Sequence, residues 1–177
     1  MSFFPEENKY MGNNDYFKPN KMDQGDETRI RIMSSPIVGW ENWLDDNKPA
    51  RFRAREKPRI APNPKKPLKE FTAMVIWNYE LQALQIWSFS QRHIKNALEA
   101  LAKNKGSPLL YDIFVSKHGE EKETRYILRP SQPHKAPEEA RDALEAVPIN
   151  LCALYEGKDP FVDMLAGRED LNVCTVA

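Results

Sequence analysis

Two cysteines in 177 residues leave little for a covalent scaffold. Cys152 and Cys174 both lie late in the chain and neither belongs to a CxxC pair. This usage excludes a disulfide-dense secreted module and a zinc ribbon, and it implies a reduced intracellular protein with incidental thiols. Glycine is scarce at seven, and none of the seven forms a phosphate-cradling loop. No GxxxxGK[ST], GxSxG or HExxH motif occurs. His93, His118 and His134 have no metal-ligand spacing among themselves or with the cysteines, so no metal and no cofactor is expected. Asp45 and Asp46 have no companion carboxylates in the strand-like runs, and no nucleophile has a base in view. The chain is therefore read as non-catalytic. No apolar run approaches the roughly 20 residues that span a bilayer. The first ten residues, MSFFPEENKY, lack the basic and apolar regions of a signal peptide. Net charge is also lacking, at zero with a pI near 6.8, which excludes a uniformly basic binder.

What the chain has is segregated charge. Residues 47–69, NKPARFRAREKPRIAPNPKKPLK, carry nine bases and one acid, Glu56. Residues 136–177 carry nine acids and three bases. A basic patch with an acidic end points to an anionic ligand together with a second partner or self-regulation. The basic stretch also holds Pro49, Pro58, Pro62, Pro64 and Pro67, which remove backbone donors and fix φ, so a long loop is expected.

The order of elements follows from hydrophobic periodicity. Residues 1–27 form an N-terminal extension rich in Asn, Asp, Lys and Pro. Residues 28–44 read as one long bent strand, with Ile30 and Ile32 alternating with Arg29 and Arg31 and a kink at Ser34-Ser35-Pro36. Residues 71–79, FTAMVIWNY, and 82–89, QALQIWSF, make a hairpin of two strands. Ile94, Ala97, Leu98 and Leu101 mark the apolar face of a helix capped by Ser90 and stopped at Gly106 and Pro108. Two further strands span 108–117 and 123–129. A linker at 131–137 leads to a short acidic helix at 137–146, within an acidic C-terminal segment at 131–177.

Bent strand, strand, strand, helix, strand, strand is the order of an OB-fold, a five-stranded barrel with its helix between the third and fourth strands. The expected fold is thus mainly β with α+β content, with its barrel at 28–130 and the 45–70 loop joining the first two strands. An OB-fold takes its ligand across the second and third strands, beside the loops. Those strands present Trp77, Tyr79, Trp87 and Phe89, with Leu84 and Ile86 taken as core and Trp87 and Phe89 as outward-facing. The loop supplies Lys48, Arg51, Phe52, Arg53, Arg55, Lys57, Arg59, Lys65 and Lys66. Trp43 and Lys117 flank it. Cations for phosphates beside rings for bases are what sequence-independent single-strand binding needs.

The runs YFKPN…GDETRIRIMSSPIVGWENW, FTAMVIWNYELQALQIWSFSQRHIKNAL and PLLYDIFVSKHGEEKETRYILRPS together resemble the single-stranded DNA-binding, helix-destabilising proteins of tailed phages, the T4-type protein and its zinc-free relatives, over about residues 16–131. The resemblance implies a coat on single-stranded DNA in phage replication, recombination and repair, in the cytoplasm of the infected bacterial host. It adds Arg29 and Arg31 to the basic cleft. It implies contacts with replication or recombination proteins through the acidic C-terminal segment, and self-association on DNA. The T4-type zinc ligands are absent from residues 45–70, and residues 1–17 lack that protein's basic arm. From the residues alone, an RNA-binding OB protein and a module docking an acidic protein partner stay open.

Overall fold

A computed structural model describes residues 15–161. Its centre is β4 (Lys69–Asn78), buried from Phe71 to Asn78. A strand covered on both faces reads as a continuous apolar run rather than an alternating one. One edge of β4 pairs with β5 (Ala83–Phe89) as a hairpin, with Trp77 opposite Leu84 and Thr72 opposite Phe89. Its other edge is shared by β1 (Glu27–Ile32), which opposes residues 76–78, and β2 (Ile37–Trp43), which opposes residues 69–73. β1 and β2 are therefore the two halves of one bent strand. At the kink, Met33 N donates to Val75 O (2.8 Å) and Val75 N donates to Ser34 Oγ (2.9 Å). The serine hydroxyl thus replaces a ladder partner where the strand turns.

β3 (Pro49–Arg53) pairs with β2, β6 (Asp112–His118) with β1, and β7 (Arg125–Pro130) with β6. All pairs are antiparallel, in the order β3-β2-β4-β1-β6-β7 with β5 on β4. α1 (Arg92–Lys105) follows β5, and α2 (Glu138–Ala146) follows β7. The mainly β character is as expected, but the five-stranded closed barrel is corrected to an open seven-stranded sheet. Two strands are added because the kink divides the first one and because Pro49–Arg53, expected as loop, forms an edge strand. A proline is tolerated at the first residue of such a strand. Among the described residues β5 and β7 do not pair. The N-terminal segment takes the β5 edge instead: Ile86 N donates to Asp15 O and Phe17 N to Ile86 O, both at 2.8 Å. Phe17 then packs edge-on against Trp87, with ring centroids 5.5 Å apart.

The sheet has a core on each face. On one side Ile30, Ile32, Met74, Ile76, Trp87, Phe89, Ile113 and Val115 pack under Ile94, Leu98 and Leu101 of α1. On the opposite side Phe71, Val75, Trp77, Leu84 and Ile86 lie under Ala140 and Ala143 of α2 and under Leu151 and Leu154 of a 3-10 helix (Leu151–Glu156). Gly39 permits this second packing. A Cβ there would lie 2.1 Å from Phe52 O and 3.0 Å from the Tyr155 ring. Tyr155 instead packs on Phe71 and donates its hydroxyl to Val38 O (2.5 Å). Cys152 is buried there, with Sγ 3.7 Å from Arg53 Nη1; Cys174 lies outside the described residues. Among the described residues no helix is long and apolar enough to cross a membrane.

Candidate nucleic-acid interface

The expected aromatic platform is interior. Trp87 is fully buried and Phe89 is 6% exposed, so their outward orientation is corrected. Both faces of β5 carry large apolar side chains, and α1 covers the face that holds these two rings. Trp77 is on the other face, 2% exposed, in the core that the C-terminal segment completes. Tyr79 is half-buried at the margin of that core.

Tyr79 belongs instead to a polar hub around Asp112, which is fully buried. Asp112 Oδ1 accepts from Arg31 Nη1 (3.2 Å) and the Tyr79 hydroxyl (2.8 Å), and Oδ2 accepts from Arg29 Nε (2.8 Å) and lies 2.9 Å from His134 Nε2. Arg31 Nη2 also donates to Leu109 O and His134 O. Burial pushes the Asp112 carboxyl up, but hydrogen bonds from Arg29, Tyr79 and Arg31 outweigh burial and hold it below the ordinary value. Burial, and then the Asp112 contact, push the Tyr79 phenol up to about 12. Arg31 is 2% exposed and held inside this hub, whereas Arg29, paired with Asp112 and lying over the Tyr79 ring, keeps its side chain 43% exposed. Lys117 is likewise engaged, with Nζ donating to Asn20 O and Met22 O at 3.0 Å each. Asp112 had a trace in the sequence: one acid in an apolar run, with two alternating arginines on another strand.

The basic loop divides by strand alternation. Arg51 and Arg53 share the face that the C-terminal segment covers. Arg51 pairs with buried Glu41 (3.2 Å), and Arg53 lies 4.7 Å over the Tyr155 ring. Phe52 faces the other way, cross-strand from Trp40. Lys48, Arg55, Lys57, Arg59, Lys65, Lys66 and Lys69 are exposed and form no ion pair among the described residues. Trp43 is 43% exposed beside them.

Two asparagines hold this loop, and nothing in the sequence singles them out. Asn42, fully buried, donates through Nδ2 to Asn63 O and Lys66 O (3.1 Å each) and accepts from Asn63 N (2.6 Å). Asn63 donates through Nδ2 to Trp43 O (2.9 Å) and Asp45 Oδ1 (3.2 Å) and accepts from Lys65 N (3.1 Å). The clasp turns a proline-rich insert into an ordered arm.

Beside the arm, at the Trp40 ring that Lys57 covers, lies a groove of about 430 Å³ lined by Trp40, Leu68, Lys69, Glu70, Gln91, Arg92, His93 and Lys95. Trp40 Nε1 donates to Ala54 O (3.3 Å), and Lys57 Nζ sits 4.0 Å from the Trp40 ring centroid. Arg92 and His93 open α1, whose first turn contains no acid. Lys95 pairs with Glu70 at 3.0 Å. The arrangement offers cations, a tryptophan face and polar groups on one concave surface. Trp40, Arg92 and His93 were not singled out as contacts by sequence reasoning, because their juxtaposition with the arm depends on the β2–β3 hairpin. No family model, curated protein or solved structure matches the chain in comparisons with known proteins.

Proposed function

We propose that this protein is a non-catalytic, largely sequence-independent single-stranded DNA-binding protein of phage replication, recombination and repair. The strand follows the groove between the β2–β3 hairpin and the start of α1, beside the basic arm. The observation that carries this reading is an excess of exposed cations beside the groove, whose one lining acid, Glu70, is paired with Lys95. The arm holds exposed Lys57, Arg59, Lys65 and Lys66 unpaired among the described residues, and Arg92 stands at the positive end of a helix. A cation there opposes the helix dipole by about 0.3–1 kcal/mol, an arrangement that a bound phosphate offsets. Trp40 and Phe52 supply the π-faces that every base can stack on. The sequence β1/β2, β4, β5, α1, β6, β7 supports an opened relative of the OB order, with residues 15–17 where the closing strand pair would lie. The preference for DNA, the infected-host cytoplasm, self-association on DNA and the recruitment of replication or recombination proteins by the acidic C-terminal segment rest on the resemblance.

Titration of oligo-dT, followed by tryptophan fluorescence at several salt concentrations, tests the reading. If about four phosphates are contacted, the log–log salt slope is about −3. Changing Lys57, Arg59, Lys65 and Lys66 together to Gln brings that slope toward zero. Absence of binding at low salt refutes the proposal, and stronger binding of a matched RNA oligomer replaces DNA with RNA.

A further inference from the structure

Ile60 is 81% exposed, more than any other large apolar side chain among the described residues. Pro58, Pro62 and Pro64 fix the backbone on both sides. Ile60 also lies three residues from each of two anchors: Lys57, over the Trp40 ring, and Asn63, held by Asn42. Within five or six positions stand exposed Arg55, Lys57, Arg59, Lys65 and Lys66, none of them ion-paired among the described residues. Glu56 is the one acid against nine bases in residues 47–69, an excess of positive charge that suits a polyanion rather than a protein pocket for an isoleucine. An aliphatic side chain has no π-face to stack on a splayed base, a task that Trp40 and Phe52 serve. Aliphatic groups act on nucleic acids by insertion between base steps, which unstacks them.

We propose that Ile60 is an apolar wedge that the basic arm presses against the terminal base pair where a single strand enters duplex DNA. This inference rests on the single-strand reading above and adds an activity to it, since the junction is opened by insertion and not only by capture of strands that have already separated. The cations of the arm hold the backbones on either side while the side chain occupies the step between the last pair and its neighbour.

The test uses the full chain and a forked duplex with a dT arm, carrying 2-aminopurine at the first base pair of the junction. Ile60→Ser removes the wedge and Ile60→Leu keeps an aliphatic one. Because the side chain is solvent-exposed, both variants bind oligo-dT within about two-fold of the wild type. With the arm saturated, wild type and Ile60→Leu raise the 2-aminopurine fluorescence, and Ile60→Ser leaves it near the level of the free fork. Equal opening by Ile60→Ser overturns the wedge, because strand capture alone then accounts for it. A parallel loss of oligo-dT affinity also overturns it, by making Ile60 an ordinary single-strand contact. If the wild type fails to bind oligo-dT at all, the single-strand reading fails and the wedge fails with it. Intact oligo-dT binding without junction opening by the wild type removes the wedge alone.

Discussion

Asn42→Ala should release the basic arm while leaving both cores in place. The side chain makes three hydrogen bonds of 2.6–3.1 Å to the backbone of Asn63 and Lys66, and a longer one to Pro67 O (3.4 Å). Each contributes about 0.5–1.5 kcal/mol net, so the ordered arm should lose about 2–4 kcal/mol relative to its open state. Trypsin reads this directly, because the Arg59–Ile60 bond lies inside the clasped segment and is cleaved only when the arm opens. When opening is fast relative to cleavage, the rate follows the population of the open form, and the cleavage rate should rise about 30- to 1000-fold. Denaturant unfolding measured in parallel separates release of the arm from loss of the sheet. Oligo-dT affinity should fall with little change in the salt slope, because the same cations dock on the bound strand but the arm must first be ordered. An unchanged cleavage rate at Arg59–Ile60 would refute the reasoning, since the arm would then be ordered by its prolines alone.

Asp112→Asn should destabilise the fold by about 3–5 kcal/mol, because it leaves the buried Arg31 guanidinium without a countercharge. The wild-type carboxyl is held below its ordinary value, so its contribution is present above about pH 4 and is lost as pH falls through the folded value. Thermal melts across the acid range should therefore show a shallower acid limb in the variant. Trp87→Ala and Trp40→Ala should separate core from interface: the first should cost about 3–5 kcal/mol of stability in denaturant unfolding. The second should leave stability nearly intact and weaken oligo-dT binding by about 1–3 kcal/mol, with the salt slope unchanged.

Local signals in the sequence determined a good part of this protein. Alternation in TRIRI, the Ser34-Ser35-Pro36 break, the FTAMVIWN run and the Ile94–Leu98–Leu101 spacing each act over a few residues, and each produced the expected strand, kink or helix. The excess of positive charge at 47–69 was equally plain, because composition needs no fold to be read. Which way the aromatics face was decided by tertiary structure. β4 and β5 are apolar on both faces, so alternation could not distinguish a ligand-facing ring from a core ring. The choice fell to what covers each face: α1 over Trp87 and Phe89, and the C-terminal segment over Trp77. Closure of the sheet was also undetermined locally, since residues 15–17 compete with β7 for the β5 edge from more than 60 positions away. Long-range pairing likewise set the fate of the arginines. Asp112 lies 81 positions from Arg31, and only the β1–β6 ladder brings them together. The asparagine clasp, 21 positions across, has no periodicity to reveal it, yet it is what holds the basic arm beside the groove.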